Sequence, residues 1–437
     1  MNPPAQHRFV EGAAQAESLA DVPWMTVFSD PALQDLIHQA IANNLDLRIA
    51  AARVDQARAQ AGVARSFKFP TIDLTGGYTG TLASRSGEST LLQSDDSRNH
   101  WNVGAQLSWD TDLFGRIRRQ TESATAVYLS TEWGRRGVLV SLVGDVSSTY
   151  FRLRELDLQL EIAHQTLEIN DRTITYFQDR LQGGVSNRLE LDQVRANRAV
   201  TAATIPQIEQ DIATTENALS ILLGRPPGAI ARGRTLAEQQ TPPLVPAGMP
   251  AALLERRPDV VEAEQLLVAA NADVGAAKAL FYPNISLTSF LGVASHDLTA
   301  MLSGTTALWS VGAGVLQPLY NGGRIKHNYE AVQAQYQQAL GAYQKSALTA
   351  YREVADALIA IQKLKEVRAH QEEGIAVLQD AAELSRDRYQ SGLASYLEIL
   401  IADQNLFQQQ LQLAQTRGAE LVAVTDLYRS LGGGWQQ

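Results

Sequence analysis

The stretch Arg180-Leu-Gln-Gly-Gly-Val-Ser-Asn-Arg-Leu-Glu-Leu191 returns as Arg388-Tyr-Gln-Ser-Gly-Leu-Ala-Ser-Tyr-Leu-Glu-Ile399. Gly184 and Gly392, Leu189 and Leu397, and Glu190 and Glu398 keep one common spacing. Each copy sets a glycine between two long runs of helical text. Glycine reaches left-handed backbone angles without a side-chain clash, so each copy reads as a tight turn joining two long helices. The rest of the chain reads as support for two such hairpins.

Upstream of the first turn the helical pattern runs from Arg116 to Leu181, roughly 100 Å at the helical rise. Its seam is Val146, Thr149, Leu153, Leu156, Leu160, Ala163, Leu167, Asn170, Ile174, Phe177 and Leu181. Steps of three and four alternate, the spacing of coiled-coil packing. The seam recurs in register from Val354 through Ile361, Arg368, Ile375 and Ala382 to Tyr389. Both seams are diluted with Ala, Thr, Ser, Asn and Gln, which suits helices side by side around a wet space better than a dry two-stranded coil. A helix returns after each turn. The first runs to Leu223, with Pro206 predicting a kink; the second runs from Leu397 to Leu431.

Two other periods complete each repeat. Leu33 to Ser66 reads as one helix, with Ser29-Asp30-Pro31 supplying a cap and a first-turn proline. From Pro70 the period becomes two: Ile72, Leu74, Tyr78 and Leu82 alternate with polar or small residues. Trp101, Val103, Leu107 and Trp109 continue the alternation after a polar loop at 84–98. The second half repeats the plan, with Phe69-Pro70-Thr-Ile-Asp-Leu echoed by Tyr282-Pro283-Asn-Ile-Ser-Leu. Ile285, Leu287, Leu291 and Val293 give a third strand and Trp309, Val311, Ala313 and Val315 a fourth. A period this long marks an internal tandem duplication rather than a solenoid. The predicted segments are an extended N-terminal strap at 1–32, a first repeat at 33–224 with its β-hairpin at 70–112, and a Pro-rich connection at 225–253. A second repeat follows at 254–431 with its hairpin at 283–319, then a tail at 432–437.

Composition narrows the function. The 437 residues carry a formal net charge of −10, which argues against a phosphate-binding basic face and so against a nucleic-acid partner. There is no cysteine, so disulfides, thiolate metal sites and cysteine nucleophiles are excluded. The seven histidines, His7, His38, His100, His164, His296, His327 and His370, are scattered with no metal-ligand pair on one helix face. No convergent polar site suggests an enzyme or a cofactor. No apolar run reaches 18 residues, so no transmembrane helix is expected. Met1 to Ala20 has no apolar signal core, which implies either a cytoplasmic protein or a chain that starts after a removed signal.

Four strands of about ten residues match the height of a transmembrane β-barrel, and aromatic residues lie in or beside them as an interfacial girdle requires. A water-soluble, half-buried sheet has the same alternation. Four strands are too few to close a barrel, for which about eight is the small end, and an open sheet in lipid leaves backbone groups unpaired. Either the sheet is soluble or several chains share one barrel.

The chain resembles the TolC-like outer-membrane efflux proteins, and within them the OprM/VceC-like (NodT-type) lipoprotein branch. The resemblance covers essentially the whole chain. It rests on Trp24 with Phe28-Ser-Asp-Pro-Ala-Leu33, Asn43-Asn-Leu-Asp-Leu47, Arg256-Arg-Pro-Asp-Val260, Tyr282-Pro-Asn-Ile285, Leu319-Tyr-Asn-Gly-Gly-Arg324 and the Arg388 turn. It implies an α+β membrane protein of the bacterial outer membrane, projecting into the periplasm. The implied homotrimer has a twelve-stranded β-barrel continuous with a twelve-helix periplasmic α-barrel. Its implied role is the passive exit channel of a tripartite multidrug or small-molecule efflux pump of the RND type. Its partners would be a periplasmic adaptor (membrane fusion) protein, an inner-membrane transporter and outer-membrane lipid. The branch carries an N-terminal Cys after its signal; this sequence has none, so it is expected to be a mature form lacking that residue or to lack the anchor.

The resemblance also implies site residues. Arg180, Gly184, Val185, Arg388, Gly392 and Leu393 form the tips that would meet the adaptor. Tyr389, Leu397, Glu398, Ile401 and Asp403 fall at the periplasmic gate. Ile401 stands where many relatives carry a second Asp, and Asp403, two residues on, is turned about 200° away. The expectation is a mixed gate, one Glu398 ring with apolar rings from Leu397 and Ile401. Tyr78, Trp101, Trp109, Tyr282, Trp309 and Tyr320 would form the aromatic girdle. A duct for type I protein secretion and a soluble coiled-coil scaffold are the alternatives.

Overall fold

The computed structural model of the chain describes residues 23–81, 98–239, 250–301 and 306–433. The first 22 residues of the expected strap, most of the 84–98 loop, part of the Pro-rich connection and the last four residues of the tail lie outside these. In chain order the elements are α1 (Trp24–Val27), α2 (Pro31–Asn43), α3 (Leu45–Ser66), β1 (Thr71–Thr81), β2 (Arg98–Asp110), α4 (Arg116–Gln182) and α5 (Arg188–Leu222). They continue as α6 (Pro250–Arg256), α7 (Pro258–Ala279), β3 (Asn284–Ser295), α8 (Leu298–Met301), β4 (Ala307–Leu316), α9 (Arg324–Gln390) and α10 (Tyr396–Ser430). The lengths repeat: α3 and α7 have 22 residues, α4 and α9 67, α5 and α10 35. No described helix is long and apolar enough to cross a membrane.

Two compact units divide the chain. The first comprises residues up to 52, 133–261 and 344–437; the second comprises 53–132 and 262–343. The first is a helical bundle. Every residue of both predicted seams is buried or half-buried in it. At one level Trp24, Leu33 and Ile37 pack with Val146, Tyr150 and Leu153 of α4, Leu219 of α5, Val354 of α9 and Leu427 of α10. A seam charge is matched locally: Arg368 meets the buried Glu420 at 2.9 Å.

Two sequence expectations change here. Residues 24–27 form a helical turn rather than extended strap, because Trp24 and Val27 are drawn into the core. The single helix expected over Leu33 to Ser66 is broken at Asn44, which sits in extended geometry at ψ 131°. Its buried amide donates to the Leu222 carbonyl at 2.9 Å, and its side-chain oxygen accepts from the Leu47 N–H at 2.9 Å. That tertiary bond and the new cap replace the helical bonds lost at the break. Pro206 lies inside the continuous helix α5, where its missing donor leaves one helical bond unmade.

The second unit carries a four-stranded antiparallel sheet in the order β1-β2-β3-β4. Its register puts Tyr78 opposite Trp101, Leu74 opposite Ala105, Trp109 opposite Leu287, and Leu291 opposite Trp309. Side chains alternate across a strand, so these pairs share one face, with Ile72, Val103, Leu107, Val293, Val311 and Val315. Thr75, Asn102, Gln106, Thr288 and Ser310 share the other. The apolar face is open: Leu74 is 84% exposed and Val311 74%. The outer edges of β1 and β4 pair with no described strand.

Candidate functional site

Each helix turn is closed by its own chemistry. Gly184 has φ +72° and Gly392 φ +74°, in the left-handed region that a Cβ disfavours. The Gly184 N–H donates to the Leu181 carbonyl at 3.1 Å and the Val185 N–H to the Arg180 carbonyl at 2.9 Å. The second turn repeats this, Gly392 to Tyr389 at 3.0 Å and Leu393 to Arg388 at 2.8 Å. These bonds satisfy carbonyls left over at the helix end. The two arginines add a return bond. Arg180 Nη2 donates to the Val185 carbonyl at 3.3 Å and Arg388 Nη2 to the Leu393 carbonyl at 3.4 Å. Each arginine thus grips the turn with its carbonyl and its guanidinium together. Val185 and Leu393 project as exposed apolar tips.

Behind the tips an aromatic cluster joins the hairpins. Phe177 of α4 meets Tyr396 of α10 edge-on at 4.6 Å and Tyr389 of α9 at 5.8 Å. The Arg180 guanidinium lies 5.5 Å from the Tyr389 ring. Tyr396 is buried, and burial pushes its hydroxyl far above the ordinary tyrosine value. Sequence reading named Phe177 and Tyr389 but missed Tyr396, whose only signal was its place one residue before Leu397.

The remaining gate candidates separate into two groups. Leu397, Glu398 and Ile401 lie along one exposed strip of α10 that Asn405 and Gln408 continue. Glu398 also sits 3.5 Å from the Arg388 guanidinium, both half-exposed. Asp403 is not on that strip. It is half-buried and pairs with Arg386 of α9 at 2.6 Å. Burial raises its pKa from the ordinary value, and Arg386 only partly offsets this. Deeper in the bundle Asn197 donates to Asn170 at 3.2 Å, Asn170 to Thr201 at 3.1 Å, and Gln404 to Asn197 at 3.1 Å.

The girdle candidates lie towards the two ends of the sheet. Tyr78 and Trp101 pack with rings 4.5 Å apart near the hairpin end, and Trp309 is the third residue of β4. At the helix end, Trp109 Nε1 donates to the Lys68 carbonyl at 3.1 Å, Tyr282 stacks on Phe114 at 5.0 Å, and Tyr320 is 91% exposed. No group of metal-ligating residues occurs among the described residues.

Long helical hairpins with such turns, and an open-edged sheet with one apolar face, define a class of protein. The family model for outer membrane efflux proteins matches residues 36–225 and 249–433. The chain is 35% identical over 425 residues to the cation efflux system protein CusC of Escherichia coli O6:H1, covering 97% of this chain and 90% of that one. It is 36% identical to the solvent efflux pump outer membrane protein SrpC of Pseudomonas putida, covering 93% and 86%. Among solved structures, the outer-membrane channel OprN superposes with a TM-score of 0.90 at 28% identity over 100% of both chains. The chain belongs to the outer membrane efflux protein family. It is an efflux channel of the outer membrane that projects into the periplasm, and its family is one of transport ducts rather than enzymes.

Proposed function

We propose that three copies of this chain assemble into one duct, each lending its four strands to a twelve-stranded barrel and α4, α5, α9 and α10 to a twelve-helix tube. The observation that carries this is the sheet: one face largely apolar, with two edges that pair with no described strand. Lipid tolerates no unpaired backbone, so the edges must meet other copies. The duct is the passive exit of a tripartite pump of the RND type. A periplasmic adaptor engages the tips at Arg180, Gly184, Val185, Arg388, Gly392 and Leu393, and an inner-membrane transporter supplies the energy. The aromatic residues Tyr78, Trp101, Trp109, Tyr282, Trp309 and Tyr320 mark the two membrane interfaces. The named relatives, at 35% and 36% identity, export cations and solvents respectively. Cargo so unlike in chemistry fits a duct that selects little, with multidrug or small-molecule export the reading for this chain.

The gate is the exposed strip of Leu397, Glu398 and Ile401, where three copies would ring the aperture. Tyr389 supports it through the aromatic cluster, and Asp403 ties α10 to α9. Single-channel recording of the purified protein in planar bilayers tests both points. The wild type should conduct weakly with a preference for cations, and Glu398→Ala should raise conductance and lower that preference. An unaltered conductance and preference would remove Glu398 from the gate; absence of any channel would sink the duct.

A further inference from the structure

The register brings the start of β1, the end of β2, the start of β3 and the end of β4 to one end of the sheet. The helices α3, α4, α7 and α9 adjoin that end in the chain. Within eight residues outside those four strand ends, the sequence holds Arg65, Lys68, Arg116, Arg118, Lys278 and Arg324, against Asp112 as the one carboxylate. This excess stands in a chain whose net charge is −10. The sequence between β1 and β2, 82–97, has the reverse balance, Arg85 against Glu88, Asp95 and Asp96.

The two carboxylates at the end of β2, Asp110 and Asp112, are already engaged. Asp112 accepts from the Ile117 and Arg118 N–H groups at 2.7 and 2.8 Å, capping α4, and its carboxylate meets the Arg118 guanidinium at 3.4 Å. Asp110, the last residue of β2, pairs with Arg116 at 3.1 Å and accepts from Asn284 at 3.3 Å. Arg65, Lys68, Lys278 and Arg324 are exposed and have no ion-pair partner among the described residues. Large apolar side chains lie near them in the sequence. Phe67, Phe69 and Leu113 are exposed, Leu319 is 96% exposed, and Tyr320 nearly as much. Arg324 also lines a cleft of about 130 Å³ with Arg116, Phe114, Tyr282 and Pro318. Aromatic rings beside uncompensated cations at the foot of a lipid-facing sheet match the chemistry of a membrane–water interface, with an apolar boundary and phosphate just beyond it.

We propose that this basic, aromatic end of the sheet is a binding belt for anionic glycerophospholipids of the periplasm-facing leaflet, with Arg65, Lys68, Lys278 and Arg324 contacting the headgroup phosphates. The proposal rests on the reading of the sheet as part of a lipid-spanning barrel. It adds a lipid class and a side: the end bearing the helices takes up negatively charged lipid.

The test reconstitutes the full chain into phosphatidylcholine vesicles, with and without phosphatidylglycerol, and follows spin-labelled forms of each lipid by electron spin resonance. The motionally restricted fraction gives their relative association with the protein. Phosphatidylglycerol should be preferred about fivefold, as expected for one basic side chain near an anionic headgroup. The preference should decline as salt shortens the Debye length. The combined variant R65Q/K68Q/K278Q/R324Q should still enter vesicles but lose the preference. Should that variant fail to fold, the single changes R324Q and K278Q, both at exposed positions, should each reduce it. Equal association of the two lipids with the wild type, or a preference untouched by these changes, overturns the proposal. So does loss of the preference to inorganic phosphate at an ionic strength where chloride has no effect, which would assign the cations to a free anion. A protein that enters neither kind of vesicle would instead refute the barrel itself.

Discussion

Asp30 is a single residue on which several segments converge. It is fully buried. One carboxylate oxygen caps α2 by accepting from the Ala32 N–H at 3.0 Å. The other accepts from the Tyr150 hydroxyl at 2.8 Å, the Arg234 N–H at 3.1 Å and the Gln239 amide at 2.7 Å. Asp30→Ala strands the Tyr150 hydroxyl and the Ala32 and Arg234 N–H groups, while the Gln239 amide keeps the Arg234 carbonyl, and each stranded buried donor costs about 1–3 kcal/mol. A loss of roughly 3 kcal/mol is expected after partial relaxation, seen as a lower thermal midpoint by circular dichroism in detergent. Gly392→Ala has a different origin. A Cβ there meets no atom within 4 Å, so the expected loss of about 1 kcal/mol comes only from the left-handed backbone. It should appear as faster hydrogen exchange at the Leu393 amide, with distant amides unchanged. Sequence gave access to half of each case. Ser29-Asp30-Pro31 announces a cap, but Tyr150 and Gln239 are 120 and 209 positions away, and no local pattern links them. The glycine turns were legible because a left-handed residue leaves a local mark; the arginine grip on them was not, because its acceptor is a backbone carbonyl, which any residue supplies.

At the scale of elements, the connection that follows α5 is pinned by charge. Glu216 of α5 accepts from the Ile230 N–H at 3.0 Å and pairs with Arg232, which also reaches Asp157 of α4 at 3.3 Å. Burial alone would raise the pKa of Glu216, but the Ile230 N–H and the Arg232 guanidinium outweigh it and hold the carboxyl below its ordinary 4.5. A depressed carboxyl stabilises the fold above its unfolded pKa and loses that contribution as pH falls through its folded value. The connection should therefore stay pinned at neutral pH and loosen only below about pH 4.5. Hydrogen exchange at Ile230, corrected for the intrinsic pH dependence, should rise there, and Glu216→Gln should show the rise already at neutral pH. Helix lengths were legible because seam periodicity is a property of one element read alone. The break at Asn44 was not, since the apolar pattern runs through Ile41 and Leu45 and the competing bond comes from Leu222. For the gate, the 200° turn between Ile401 and Asp403 could be computed from helix geometry; the Arg386 partner of Asp403 could not.

At the scale of the whole molecule, strand alternation in the sequence defined which residues share a face, and the register assembles those positions into one apolar surface. Alternation is silent on what covers that surface; family membership supplies the outer membrane. The trimer reading makes a concentration-dependent prediction. Chains unfolded in denaturant and returned to micelles should regain helix at any dilution, but heat-resistant trimers, read by light scattering, only above a threshold protein concentration. Helical bonds are closed within each segment, whereas a shared sheet needs encounters between copies. Equal trimer yield at every dilution would count against shared strands.

The unpaired borders of β1 and β4 also bear on how the protein is made. A newly exported copy cannot wait in lipid as a singlet, because its backbone amides and carbonyls along two strands would face hydrocarbon. Nor is it safe in water, where such borders recruit any passing strand. On the trimer reading, biogenesis would therefore couple the meeting of subunits to their entry into the bilayer. Overproduction that outruns this coupling should leave orphan subunits for periplasmic proteases rather than surplus pores.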